Sequence, residues 1–308
     1  MKKDKSASAG RLTFSIILLL VYSLALPFIM GLVHSSINGR AFAVTFKDVY
    51  RYFVLAGIVF CMLLTIEGYI FYRRRDLTRD YKQLGVVLVS VAACYLFAII
   101  FGNFISVFAM PLILSGLLIA MLIDARLALF SNILIDITFF LCYFTVEPDI
   151  MLLETVAAIL TQAISSSMMI IMLRKHYTRM TFIGSASIIG LALAVPVAAL
   201  SGLLKSNFAW LDVLMNGVWA FVSMLLGIAL FMVILPLLEN LFGMFSDFRL
   251  EEICSPESRL MKRLASEAPG TYNHSLAVGN LAQACAIKIG ENPALAKAGA
   301  YYHDVGKL

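Results

Sequence analysis

Two residues next to each other near the end of the chain, His303 and Asp304, carry the most chemistry in it. An imidazole nitrogen beside a carboxylate oxygen is a ligand pair for a divalent metal. Gly306 and Lys307 follow at once, and the lysine is close enough to meet a phosphate as a point charge. A third candidate ligand, His274, stands upstream. It falls in the first turn of one expected helix, and the His-Asp pair falls at the end of the next. If these two helices pack antiparallel, the three side chains converge. The bland alternatives are a capping histidine at 274, a solvated helix-end pair at 303–304 and a solvated Lys307.

The elements leading up to this pair are mostly membrane. The chain has 308 residues, 61% hydrophobic and only 14% charged, with a mean hydropathy of +0.90. A soluble domain carries about 25% charge, so one large soluble core is excluded. Helical spans of about 20 apolar residues are expected near 12–33, 52–72, 84–101, 104–123, 127–146, 150–173, 182–203 and 212–238. Only Gly102 and Asn103 separate the third from the fourth, so a single kinked or re-entrant unit there is the alternative. The basic start (Lys2, Lys3, Lys5, Arg11) and the long first apolar run predict a retained anchor rather than a cleaved signal.

Lys and Arg cluster before span 1, between spans 2 and 3 (Arg73, Arg74, Arg75, Arg79, Lys82), at Arg126, and at Arg174, Lys175 and Arg179. The opposite loops hold only Arg40, Lys47, Arg51 and Lys205. The positive-inside rule then predicts both termini in the cytoplasm of a bacterial cell, in a multi-pass protein of the inner membrane. These basic residues read as topology signals, not as contacts to a nucleic-acid polymer. Expected divisions are 1–33 (tail and first span), 34–51 (a short outer loop), 52–238 (seven spans), 239–254 (a juxtamembrane connector) and 255–308 (a soluble helical segment). In that segment Ser255 and Pro256 are expected to start a helix to Glu267, Pro269-Gly270 to break it, and Thr271 to cap a second helix ending at Gly290. Asn292-Pro293 starts a third.

Other groups read more quietly. Cys61, Cys94, Cys142, Cys254 and Cys285 have no zinc spacing and are expected to be structural thiols. His34 and His176 fall at span edges. Asp136 falls mid-span, four residues after Asn132, with Glu67 and Glu154 nearer span ends. Such groups line an ion or ligand path or cross-link helices, with Gln162 and Ser165 to Ser167 as partners. Pro27, Pro111, Pro196 and Pro236 read as kinks.

Three segments carry a family resemblance: Glu267-Ala268-Pro269-Gly270-Thr271-Tyr272-Asn273-His274-Ser275, Val278-Gly279-Asn280-Leu281-Ala282, and Gly299-Ala300-Tyr301-Tyr302-His303-Asp304-Val305-Gly306-Lys307. With the spans before them, they resemble the seven-transmembrane receptors with an intracellular HD hydrolase, whose best-known members hydrolyse cyclic di-AMP. The fold class implied is all-α: a polytopic helical membrane domain followed by the N-terminal helices of an α-helical HD domain. By this resemblance His274, His303 and Asp304 help hold a dinuclear manganese or iron centre, Asp304 bridges the metals and Lys307 contacts a phosphate. An activated water would open a cyclic dinucleotide to a linear one, with a homodimer possible and the lipid bilayer as the other partner. The family draws further ligands from helices beyond the His-Asp pair, so a chain ending at Leu308 is expected to be truncated inside the HD domain and inactive alone. Family members also carry a large outer domain after the first span, where this chain has 34–51. The rival readings are a transporter or channel, which Asp136 favours, and a non-catalytic membrane sensor with a vestigial HD segment.

Overall fold

The computed structural model describes residues 2–37, 46–73, 81–146, 152–173, 179–204 and 210–308. The described residues are helical, without strands, in the order α1 (Lys2–Ile37), α2 (Phe46–Arg73), α3 (Tyr81–Phe104), a 3₁₀ turn (Val107–Ala109), α4 (Ile113–Leu122), α5 (Ala125–Val146), α6 (Leu152–Leu173), α7 (Arg179–Leu204) and α8 (Trp210–Phe242). Shorter helices follow: α9 (Asp247–Cys254), α10 (Arg259–Glu267), α11 (Pro269–Ile289), α12 (Pro293–Tyr302) and a 3₁₀ turn (Val305–Lys307). The chain divides into two units. One holds α1 to α6, α7 from Ile183 onward, and α8. The other holds Gly243–Leu308 with the first turn of α7.

Seven helices of the first unit are long and apolar enough to cross a membrane. Large apolar side chains stay exposed on their outer faces, among them Ile17, Val21, Ile188, Leu191 and Val195. In water such a surface would be a liability; in lipid it is the ordinary outside of a helix whose backbone bonds are satisfied internally.

The fourth expected span, 104–123, departs from the expected single helix. It is a 3₁₀ turn, a break and a ten-residue helix. Pro111 is the cause: it lacks an N–H and pushes the preceding residue out of the helical region, and Met110 is extended at φ −68°, ψ 121°. The short helix α4 is nonetheless the core of the bundle, with Ile113, Leu114, Ser115, Gly116, Leu117, Leu118 and Ile119 all buried.

The break does not stop the segment from traversing the bundle. Met110 packs on Gly102 near the end of α3, and the Cys94 thiol lies 3.4 Å from the Leu112 carbonyl oxygen, so the segment runs back along α3. Phe108 packs with Trp219 and Ala220, and Ile113 lies against Gly227. Ascending numbers therefore match ascending numbers on α8. The start of α3 and the end of α8 lie at one face, where the Phe242 ring fills the space beside Gly85. Such a match requires an even number of passes from the start of α3 to the end of α8, and the broken segment supplies the sixth. Helix α1 runs parallel to α3: Tyr22 Oη donates to the Leu88 carbonyl at 2.7 Å, and His34 Nδ1 lies 3.2 Å from Asn103 Nδ2 at the other end.

The second unit corrects two expected helix starts. Ser255 ends α9 rather than starting α10, and its hydroxyl accepts from the Glu257 N–H at 3.3 Å; α10 begins at Arg259. Pro269 does not merely break the chain. It occupies the first turn of α11, where its missing N–H costs nothing, so Thr271 lies inside the helix rather than capping it. The other ends match expectation. Gly290 closes α11 in the left-handed region at φ 77°, and Asn292 caps α12 by accepting from the Leu295 N–H at 3.0 Å. Leu250, Cys254, Met261, Ala298 and Tyr301 form the small core, with Tyr272 and Leu276 packed on it.

Candidate metal centre

Helices α11 and α12 are joined by a short turn and lie antiparallel. Gly279 is the contact that allows this. A Cβ there would overlap the Tyr301 ring and sit 3.5 Å from the Lys297 carbonyl oxygen. With Gly279 against Tyr301, the first turn of α11 falls beside the last turn of α12. His274 and His303 consequently meet, their ring centroids 5.6 Å apart at 60°.

His274, His303 and Asp304 each offer one ligand atom, and these atoms lie within 4.8 Å of one another. His303 Nδ1 is 2.7 Å from the Ala300 carbonyl oxygen. A carbonyl only accepts, so this nitrogen carries a proton. The other ring nitrogen, Nε2, lies 3.4 Å from Asp304 Oδ2. The donor set, two imidazoles and a carboxylate, suits a divalent transition metal. The group is open to solvent: both histidines are exposed and Asp304 is partly buried.

Lys307 reaches the same carboxylate oxygen, with Nζ to Asp304 Oδ2 at 2.5 Å. This ammonium holds the Asp304 carboxyl below its usual range, with the His303 and His274 rings as smaller electrostatic contributors. Behind the pair, the Tyr302 hydroxyl donates to the Ile253 carbonyl oxygen and lies 3.2 Å from Ser258 Oγ. The residue next to His303 is thus anchored to the end of α9 and the start of α10. Tyr302 and Gly279 were both inside motif segments, but their positioning roles depend on contacts 22 to 49 residues away in sequence and have no local signal.

A cleft of about 540 Å³ lies elsewhere in this unit, between Arg179, Phe248, Glu252, Lys297 and Tyr301, and none of the three ligand residues lines it. Convergent donors, not a deep cavity, mark the candidate site.

A bundle of apolar, membrane-length helices joined to a small helical unit with a His/His-Asp cluster defines a polytopic membrane protein with a candidate metal site in its C-terminal unit. The particular family follows from sequence comparison. The family described as "7TM receptor with intracellular HD hydrolase" matches residues 49–246, and the HD domain matches residues 271–308. The first match covers well over half of the chain, and the chain belongs to that family. HD domains are metal-dependent hydrolases. The 49–246 match takes in α2, α3, the broken segment, and α5 to α8, which makes seven passes only if that segment counts as one.

Among relatives, the cyclic-di-AMP phosphodiesterase PgpH of Listeria monocytogenes serotype 1/2a (strain 10403S) is 33% identical over 200 residues, 65% of this chain and 27% of its own length. The cyclic-di-AMP phosphodiesterase PgpH of Bacillus subtilis (strain 168) is 26% identical over 268 residues, 82% of this chain and 36% of its own length. The uncharacterized protein slr0104 of Synechocystis sp. (strain ATCC 27184 / PCC 6803 / Kazusa) is 44% identical over 73 residues, 24% of this chain and 9% of its own length. The chain therefore spans about a third or less of the curated relatives it matches. No solved structure matches it.

Proposed function

We propose that this chain is the membrane-and-early-HD portion of a metal-dependent phosphodiesterase that opens a cyclic dinucleotide, cyclic di-AMP by kinship, to the linear form. The observation that carries the reading is the convergence of His274, His303 and Asp304 within 4.8 Å at the antiparallel ends of α11 and α12. His303 Nε2, one His274 nitrogen and an Asp304 oxygen would hold a divalent ion, manganese or iron. When bound, the metal supplies Lewis acidity at the phosphoryl oxygens and a more acidic water. The chain's own residues do the rest. The Ala300 carbonyl keeps His303 in the ligating tautomer. Lys307 pairs with Asp304 and would be free to meet a phosphate oxygen when a metal holds that carboxylate.

The orientation proposed is cytoplasmic for both termini. Its support is the parallel run of α1 and α3, the shared face of the α3 start and the α8 end, and the basic residues that the sequence clusters before the first span and between the second and third. A dimer, if formed, belongs to this same reading.

The test is metal binding and turnover by the purified protein in detergent. With manganese, the protein should retain the metal through gel filtration, and His303→Ala should lose it. With manganese and cyclic di-AMP, any product should be the linear dinucleotide, resolved by chromatography. Full metal retention by His303→Ala, or turnover that survives a chelator, would overturn the reading.

A further inference from the structure

The membrane unit contains a second polar site that the hydrolase chemistry does not use. Asn132 and Asp136 stand one turn apart on α5, 0% and 2% exposed. The Asn132 amide donates to Asp136 Oδ2 at 2.9 Å and to Ser166 Oγ on α6 at 2.6 Å. Both its N–H bonds are then spent. The Ser166 hydroxyl donates onward to the Ala163 carbonyl at 3.1 Å. Two buried oxygens are left without a partner, Asn132 Oδ1 and Asp136 Oδ1, and Ser115 Oγ on α4 has only the Cys94 thiol beside it. Asn132 Oδ1 packs against Gly116, where a Cβ would come within 2.6 Å, so the bare backbone next to Ser115 is what admits this oxygen. The Cys94 thiol on α3 contacts Ser115 and lies within electrostatic range of Asp136, which brings α3, α4 and α5 together around the group.

We propose that Asp136, Asn132 and Ser115 bind a single desolvated alkali-metal cation of the sodium class. Among the described residues no lysine, arginine or histidine pairs with Asp136, whose bonding partner is the Asn132 amide. To stay anionic in the middle of a membrane bundle, a carboxylate needs a positive counterpart. The donor set, a carboxylate, a carboxamide and a hydroxyl, is all oxygen and suits a hard ion. One carboxylate balances one positive charge, and a divalent ion would leave a net charge in hydrocarbon. Another polar pair of the bundle, Gln162 and Ser223, is joined by its own hydrogen bond.

The experiment is thermal unfolding of the 308-residue protein in a zwitterionic detergent at pH 8, in sodium, lithium, potassium or choline chloride at matched ionic strength. At about ten times the half-saturating concentration, one alkali ion should raise the midpoint by roughly 2–5 °C over choline. The rise should saturate, and it should vanish in Asp136→Asn. Ser115→Ala is the milder variant should Asp136→Asn fail to fold, and it should shift the half-saturating concentration upward by about fivefold or more. Equal midpoints in all four salts would overturn the proposal. So would a midpoint that responds to acid but to no cation, which would make the occupant a proton.

Discussion

At the scale of single residues, the proposed ligand group of His274, His303 and Asp304 already carries one cationic neighbour, the Lys307 ammonium on Asp304. Lys307→Met should therefore leave manganese affinity equal or tighter, because the ion no longer competes for Asp304, while nucleotide binding weakens. Equilibrium dialysis with manganese checks the first half, and a fluorescent cyclic dinucleotide checks the second. The lowered carboxyl of Asp304 has a definite sign: the anionic form is present above the depressed range and lost only as pH falls through it. The thiols divide just as sharply. Burial holds the Cys254 thiol up at about 11, while Cys285 is exposed. At neutral pH a maleimide should modify Cys285 well ahead of Cys254, since the thiolate is the nucleophile, and peptide mass spectrometry of a brief labelling reads the order.

At the scale of elements, the antiparallel pair of α11 and α12 sets the site, and Gly279 is its closest approach. Gly279→Ala forces a methyl into the Tyr301 ring, and overpacking of this kind costs about 1–3 kcal/mol. Its effect should reach His274 and His303, because the same contact sets their separation, so manganese affinity should fall although no ligand is touched. Asn292 ties two helices at once, capping α12 and donating from its Nδ2 to Asp247 Oδ1 at 3.0 Å in the first turn of α9. Asn292→Ala should cost about 1 kcal/mol of stability in this unit, measured by urea unfolding of the protein in detergent. Pro111 acts in the opposite sense in the bundle: it breaks a span, yet the traverse survives, because the core-facing residues of α4 pack on α3, α5, α6 and α8.

At the scale of the whole molecule, the number of passes sets the proposed side of the membrane for each end of the chain. With the broken segment counted, the N-terminal end of α1, the start of α3 and the end of α8 share one face. Reporter fusions at the N-terminus and after Leu308 should both report the cytoplasm, and a reporter inserted at 205–209 should report the opposite side. Opposite signals from the two ends would remove the broken segment from the count of crossings.

The all-α class and the apolar helices were legible in the sequence, and the candidate positions His274, His303 and Asp304 could be named from it, because each has a local cause. Apolar runs of membrane length need no partner to be recognised, and Gly290, Asn292 and Pro293 mark helix ends through their own backbone preferences. Ser255 and Thr271 misled for the same reason, since a hydroxyl beside a proline can cap a helix or close a turn, and packing chose between them. Tertiary structure alone decided the rest. It joined His274 to His303 across Gly279, anchored Tyr302 to the end of α9, carried a proline-broken segment through the bundle, and left Asp136 and Asn132 with unpaired oxygens. Each of these depends on close approach between residues far apart in the chain, and periodicity or composition along one strand of sequence holds no record of such distances.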